Sequence, residues 1–275
     1  EISRLDEYLG GTFGSGVQSL HWVDSKSYFY TAQRKPLRLI SADTGEVLNS
    51  WEVEGDSPVA IAVKDGRVLA SYSRGTVLEA DINSKRDMLV KKFSTPLAFT
   101  EVTYGSGDTV FLMTRLGGRS TLYKWDSSDP DSELVLLSEI LGDVTLMEYR
   151  QDTLKLWVRD GRVLSLDDNG KILSTLQLAD RNVWGLPVVT DDTIVTIADD
   201  YKLCFYNATT GERLGRLVSV RNNEGWVALE ESGSFDGNDV GLQTVQFSLG
   251  DELYGVDQFL NQYLRPGLLA DLLPG

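Results

Sequence analysis

Residues 59–80 read VAIAVKDGRVLASYSRGTVLEA and contain three strand-like segments separated by two turns. Apolar residues run through 59–63 and 67–72, as they do in strands that are packed between other sheets. Asp65-Gly66 joins these two segments, and this pair strongly favours a two-residue β-hairpin turn. The stretch therefore predicts consecutive antiparallel strands.

Polar turns recur on both sides of this stretch at a nearly constant spacing. Their starts are separated by 40, 43, 42 and 39 residues and lie at Asp43, Asn83, Asp126, Asp168 and Asn207. A period of about 40 residues with four strands per unit is typical of a β-propeller blade. The sequence therefore predicts an all-β fold, a β-propeller of four-stranded blades that number six or seven, of about 40 residues each. Segment 226–254 is interpreted as an atypical sixth blade.

The chain is expected to have three parts. Residues 1–17 are predicted to be a lead-in segment, 18–250 the β-propeller, and 251–275 a helical junction packed on the last blades. In the junction, the apolar spacing of 256–264 is that of one short helix, and Pro266 suits the first position of a second helix. Trp226, Phe235 and Phe259 are expected to be buried against the last blades.

Several short segments at this end of the chain resemble those of a known group of proteins. The relevant segments are Gly225-Trp226-Val227, Gly233-Ser234-Phe235-Asp236-Gly237, Gln246-Phe247 and Tyr263-Leu264-Arg265-Pro266-Gly267-Leu268. With them, residues 225–275 resemble the junction in bacterial proteins that place WD-type propeller repeats beside a caspase-like (peptidase C14) domain. The resemblance implies a sensor or scaffold propeller that belongs to a caspase-like protease or to its partner. The turns of the blades look equally like those of quinoprotein-type propellers.

Charge and composition limit the functions that the chain can have. Its net charge is −15, from 41 acidic and 26 basic residues, which argues against binding to nucleic acid or to anionic membranes. Solubility is the simplest reason for this charge, and a basic partner is the alternative. The single cysteine, Cys204, excludes an internal disulfide and is compatible with a cytoplasmic protein. The first residues contain neither Met nor a signal-peptide pattern, so the chain is expected to begin inside a longer protein.

The residues available for catalysis are few. A cysteine protease needs a thiolate and a histidine base in contact, and this chain has only Cys204 and His21. Cys204 lies inside a strand-like segment and is predicted to be a small buried residue. The acidic segment 126–133 lacks the glycine and the spacing of a calcium loop and is predicted to be a solvated turn. We therefore predict no catalytic residue, metal or cofactor; the alternative is a quinoprotein-like propeller that binds a small molecule or catalyses a reaction in its central channel.

Binding is expected at the connections between blades. Such loops vary freely, and those that leave a fourth strand and enter a first one are predicted to share one face, here 55–57, 94–96, 141–143 and 180–182. Asp56, Asp143 and Asp180 would make this rim acidic, so a basic peptide or a basic protein patch is the expected ligand. Residues 179–184 read as one of these inter-blade loops, so Trp184 and its polar companion Arg181 are predicted to be further partner contacts, since interfaces favour tryptophan and arginine.

Overall fold

The computed structural model describes residues 17–32, 35–84, 88–94, 98–181, 183–190, 192–198, 202–220 and 224–272. The predicted lead-in segment lies outside these residues except for Val17. The chain divides into a first unit, Glu1–Lys155 with Ser165–Leu173, and a second unit, Leu156–Leu164 with Ser174–Gly275.

The strands of the described residues follow one another along the chain within each sheet. The first sheet contains β1 (Val17–Trp22), β2 (Ser27–Ala32), β3 (Leu37–Ser41) and β4 (Val47–Trp51). The second contains β5 (Pro58–Lys64), β6 (Arg67–Tyr72), β7 (Thr76–Asp81) and β8 (Met88–Lys92). The third contains β9 (Phe99–Tyr104), β10 (Thr109–Leu116), β11 (Arg119–Asp126) and β12 (Val135–Leu141). The fourth contains β13 (Val144–Arg150), β14 (Thr153–Val158), β15 (Arg162–Leu166) and β16 (Ile172–Gln177).

The fifth sheet is longer than the other four. It contains β17 (Val183–Val189), β18 (Thr193–Ala198), β19 (Leu203–Asn207), β20 (Arg213–Val220), β21 (Gly225–Glu230) and β22 (Phe235–Gly237). A separate hairpin follows, with β23 (Gln246–Leu249) and β24 (Glu252–Gly255). Thus the segment interpreted as a sixth blade begins as an extension of the fifth sheet. The blade count stays a prediction, whereas the repeat of four consecutive strands is confirmed.

Helices are found at the C-terminal end of the described chain. They are α1 (Asp239–Leu242), a 3₁₀ helix (Val256–Gln258), α2 (Leu260–Tyr263) and α3 (Leu268–Leu272). The prediction that Pro266 begins a helix is wrong, because α3 begins two residues later. Gly267 has a φ of +90°, outside the helical region, and its N–H donates to Asp236 Oδ2 at 2.9 Å. None of the described helices is long and apolar enough to cross a membrane.

The hairpin turn predicted between β5 and β6 is confirmed. Asp65 and Gly66 both have positive φ, 50° and 76°, and Lys64 pairs with Arg67 across the turn. Two successive residues in this conformation form the turn whose twist matches that of two antiparallel strands. The local sequence therefore sets the register of this strand pair.

In the first unit, the core lies between successive sheets. One cluster joins the first and second sheets through residues such as Phe29, Trp51 and Tyr72, all buried. A second cluster joins the second and third sheets through Phe99 and Trp125. The first strands of neighbouring sheets also contact one another: β1 with β5, β5 with β9, and β9 with β13. Trp51 and Trp125 thus belong to the core between the sheets.

The second, third and fourth sheets each contact the fourth strand of the preceding sheet, and in each case the contact is made by the turn between the third and fourth strands of the later sheet. Asn49 Nδ2 of β4 donates to the carbonyl of Ile82 at 3.2 Å. Lys91 Nζ of β8 donates to the carbonyl of Pro130 at 2.5 Å. Between the third and fourth sheets the contact is made by Gly170, which lies so close to β12 that an added Cβ would be 2.7 Å from Leu137 Cβ.

The fourth strands lie at the edges of their sheets and begin with exposed apolar residues. These side chains are between 43% and 56% exposed; they are Val47, Leu48, Met88, Val90, Val135, Leu136, Ile172 and Leu173. Such edges present unpaired backbone groups together with apolar surface.

In the second unit, α3 packs on the fifth sheet. Leu268 and Leu272 share a buried cluster with Phe205 and Ala228. Phe235 is buried as predicted, with 1% of its surface exposed. Trp226 and Phe259 are only half-buried, so this part of the prediction is wrong. Phe259 has aromatic neighbours instead, with its ring centroid 4.3 Å from that of Phe247.

Candidate functional site

The connection from β16 to β17, in the second unit, contains two of the predicted site residues. It is held between two glycine turns: Leu178 N donates to the Gly161 carbonyl at 2.9 Å, and Ala179 N donates to the Gly211 carbonyl at 3.1 Å. An added Cβ on Gly211 would be 2.1 Å from the carbonyl oxygen of Gln177. The backbone of the connection is therefore fixed by contacts that only glycine allows.

Asp180 uses both carboxylate oxygens inside the protein. Its Oδ2 accepts from the hydroxyl of Tyr206 at 2.8 Å, and its Oδ1 accepts from Arg213 at 2.6 Å. Arg213 also donates to Glu231 at 2.5 Å, and this hydrogen bond, followed by Asp180, raises the pKa of Arg213. Burial, and then Asp180, raises the pKa of Tyr206. The arrangement links the connection to β19, to β20 and to the turn after β21.

Arg181 lies beside Asp180 but has a different environment. Its side chain is exposed and makes no hydrogen bond or ion pair with any residue that the structure describes. It borders a cleft of about 650 Å³ whose other lining residues are Asp160, Gln177, Leu178, Ala179, Thr210, Gly211 and Glu212. Because this guanidinium has free donors, it is available to a carbonyl or carboxylate of a partner.

The cleft has mixed charge. The pKa of Asp160 is lowered, although its burial alone would raise it. Hydrogen bonds from Arg162 and the charge of Arg162 outweigh the effect of burial, and the charge of Arg181 adds to them. Arg162 contacts the Asp160 carboxylate at 2.7 Å. Gln177 Nε2 is occupied as well, since it donates to the backbone carbonyls of Asp160 and Leu178. Arg181 remains as a charged group that can reach a ligand, together with Glu212, which accepts one hydrogen bond from the Thr210 hydroxyl at 3.3 Å.

The other predicted aspartates lie in the first unit, in connections that agree with the prediction. Asp56, between β4 and β5, accepts from Ser57 N at 2.8 Å, from Ser73 Oγ at 2.6 Å and from Arg74 N at 3.3 Å. Its carboxylate thereby holds the connection against the turn after β6. Asp143, between β12 and β13, is half-buried. That the connections form one binding rim stays a prediction.

Trp184 was predicted in the connection itself, and this is wrong. It is the second residue of β17 and pairs with Ile197 of β18. The valine-rich run 183–189 continues the strand to its end, and pairing with β18 fixes Trp184 within it. Its side chain lies outside the part of the chain that the structure describes, as does Asn182.

The two residues considered for catalysis lie in different units. Cys204 is in β19 with 3% of its surface exposed, and burial raises the pKa of its thiol. It is a small buried residue, as predicted. Burial lowers the pKa of His21, in β1 of the first unit. Among the residues in the described ranges, no group of three His, Cys, Asp or Glu side chains could hold a metal ion.

Sequence reasoning missed most of the cleft. Neither Asp160 nor Glu212 stands out among the acidic turns, and the arrangement of Tyr206 with Arg213 joins residues from two strands. The available signal was Gly211, which follows a polar turn in the same way as Gly170 does one repeat earlier. Glycine at that position indicates close contact with another backbone.

Comparison with protein-family models and with curated proteins gives no match. Several solved structures are similar. The β-propeller domain of Cps50 (Swd1) from Myceliophteria thermophila is 12% identical with a TM-score of 0.59, and the match covers 82% of this chain and 85% of that one. U3-55K is 11% identical with a TM-score of 0.58 (82% and 77% covered), and the WD40 repeats of RRP9 are 10% identical with a TM-score of 0.57 (82% and 76% covered). The chain thus has the fold of a WD40 β-propeller, and the predicted fold class is confirmed.

Proposed function

We propose that this chain is a non-catalytic β-propeller that binds a protein or peptide. The observation that supports it best is the cleft beside the β16–β17 connection, where exposed Arg181 has no hydrogen-bond partner among the described residues. Its backbone walls are fixed by Gly161 and Gly211, so a ligand would meet a preformed site. The net charge of −15 favours a basic partner overall, and Glu212 offers a carboxylate to it.

A finer proposal rests on the resemblance of residues 225–275. In it, the propeller is the sensor or scaffold part of a bacterial caspase-like protease, or of a partner of such a protease. One of the residues behind the resemblance attaches the C-terminal segment to the fifth sheet, because Arg265 contacts Glu230 of β21 at 3.3 Å. Arg265 also contacts Asp271 within the segment at 2.6 Å. The coding sequence on either side of this chain tests the finer proposal. A domain with a His–Cys pair would support it, and a secretion signal would count against it.

Recovery of binding partners from the source cell tests the proposed function. The parent would be compared with Arg181→Ala and with Ala179→Trp, which fills the cleft from an exposed position. Lys171→Ala is the matched control, because it removes one exposed positive charge from a turn in the other unit. We expect both cleft variants to lose partners that the control retains. The affinity of each variant for the purified partner would then be measured by calorimetry. Equal recovery by all four proteins would exclude the cleft as the binding site.

The proposal also requires that the purified chain cleave no peptides. Because the Cys204 thiol is buried and its pKa is raised, little of it is thiolate at neutral pH. We expect no cleavage of reporter peptides that contain Arg or Asp. Cleavage that disappears in Cys204→Ala would contradict the non-catalytic assignment.

A further inference from the structure

The contact between the second and third sheets departs from the repeat described above. The loop between β11 and β12 has eight residues, 127–134, whereas the equivalent loops 42–46, 167–171 and 208–212 have five each. At the shorter loops that begin with Asp167 and Ala208, a glycine packs directly on the preceding fourth strand. At the long loop the contact is instead the hydrogen bond from Lys91 to Pro130, and a groove of about 480 Å³ stays open beside it.

The floor of this groove is aromatic and rigid. Tyr123 and Leu134, both half-buried, line it together with Phe93, which is buried. The Phe93 ring is packed edge-on against Trp125, with centroids 5.4 Å apart, and Tyr123 is packed edge-on against Phe99 at 6.2 Å. Because these rings belong to the core between the two sheets, the groove keeps its shape without a ligand.

The wall formed by the long loop is negatively charged. Segment 126–133 contains four carboxylates and no basic residue. Asp131 and Glu133 line the groove, are exposed, and accept no hydrogen bond from the residues that the structure describes. Lys91 and Lys92 also line the groove. Lys91 is already engaged, with its Nζ on the Pro130 carbonyl and 5.9 Å from the centroid of the Phe93 ring, and Lys92 is exposed.

These features differ from those of the predicted acidic rim. There both carboxylate oxygens of Asp56 and of Asp180 already accept hydrogen bonds within the protein. Here two carboxylates face an apolar floor without internal partners. A cationic side chain placed between them would gain charge pairing, and an adjacent apolar side chain would gain contact with the rings.

We propose that this groove binds an extended basic peptide, which places an aliphatic side chain on Tyr123 and Leu134 and a Lys or Arg side chain beside Asp131 and Glu133. The inference rests on the proposed function, since it assumes that the chain binds peptides, but it assigns the basic ligand to this groove. Exposed charge pairs contribute little each, so removal of both carboxylates should weaken binding by roughly threefold to tenfold.

The test uses a fluorescein-labelled peptide in which one Leu is flanked by two Arg, measured by fluorescence anisotropy with the whole chain. The groove variant is Asp131→Asn/Glu133→Gln. The control variant is Asp65→Asn/Asp152→Asn, which removes the same charge from two exposed turns of the same unit. A second groove variant, Ser94→Arg, adds bulk and positive charge at an exposed lining position. Control peptides replace the Leu by Ser or both Arg by Glu.

Support would be weaker binding by both groove variants, no change in the control variant, and loss of affinity with either control peptide. Equal weakening by the groove and control variants would show general attraction to an acidic protein and would overturn the inference. Binding that no variant affects would also overturn it, while the proposed peptide-binding function would stand. A parent protein that binds none of these peptides would refute the groove, whereas the partner-recovery experiment on the Arg181 cleft would still decide the proposed function.

Discussion

Replacement of Asp180 by alanine distinguishes a structural carboxylate from a ligand-binding one. The change leaves the hydroxyl of Tyr206, in a residue with no exposed surface, without its acceptor. It also removes one of the two carboxylates that pair with Arg213, whose side chain is 21% exposed. A lost hydrogen bond to a charged group costs about 1.5–3 kcal/mol, and a broken buried ion pair costs about 3–5 kcal/mol. Because Arg213 keeps Glu231 and some solvent, we expect a loss of about 3 kcal/mol.

The assay is urea unfolding followed by tryptophan fluorescence and by circular dichroism. Coincident transitions would justify a two-state free energy for a chain with two compact units. Asp43→Ala, at an exposed turn position, is the control and should change the free energy of unfolding by less than about 0.5 kcal/mol. If Asp180→Ala is as stable as this control, the carboxylate has no structural role and the reasoning is refuted.

Three further perturbations test the packing. Gly211→Ala should lower the free energy of unfolding in urea by about 2 kcal/mol or more, since the added Cβ would overlap the Gln177 carbonyl. Gly66→Ala has a similar φ but open space around it and should lower the free energy by only about 1 kcal/mol. Equal losses in the two variants would refute the contact. Phe235→Ala should cost about 3–5 kcal/mol and lower the melting temperature by many degrees, and a parent-like melting curve would mean that its segment is not part of the fold. Burial raises the pKa of Glu101 to about 8, so the folded state binds more protons than the unfolded state between pH 4.5 and 8. Glu101 should therefore make the free energy of unfolding fall across that window by up to roughly 5 kcal/mol, and a slope that persists in Glu101→Gln would exclude this side chain as its source.

The repeat was predictable because its causes are local. Turn residues such as Asp65-Gly66 set the hairpins, and apolar alternation places one strand after another at a constant period. The connections containing Asp56 and Asp143 follow from that strand order. Each of these inferences needs only residues that are near one another in the chain.

The site was less predictable because its causes are tertiary. Whether an aspartate faces a ligand or a hydrogen-bond donor depends on residues such as Arg213, 33 positions from Asp180. Trp184 lies in a strand because it pairs with Ile197, and no feature of the loop before it shows this. The groove at Phe93 depends on the distant loop 127–134, which differs from the equivalent loops of the other sheets by its greater length.

The exposed apolar starts of β4, β8, β12 and β16 bear on how the protein behaves in concentrated solution. Unpaired strand edges with apolar side chains invite contact between molecules, and natural proteins commonly protect such edges with charge. β4 and β16 contain no charged residue, so the protection must come from the molecule as a whole, through its net charge of −15. Mutual repulsion between copies vanishes near the isoelectric point of about 4.5 and is screened by salt. The net charge of this chain therefore also determines the pH and ionic strength at which copies of it repel one another in solution.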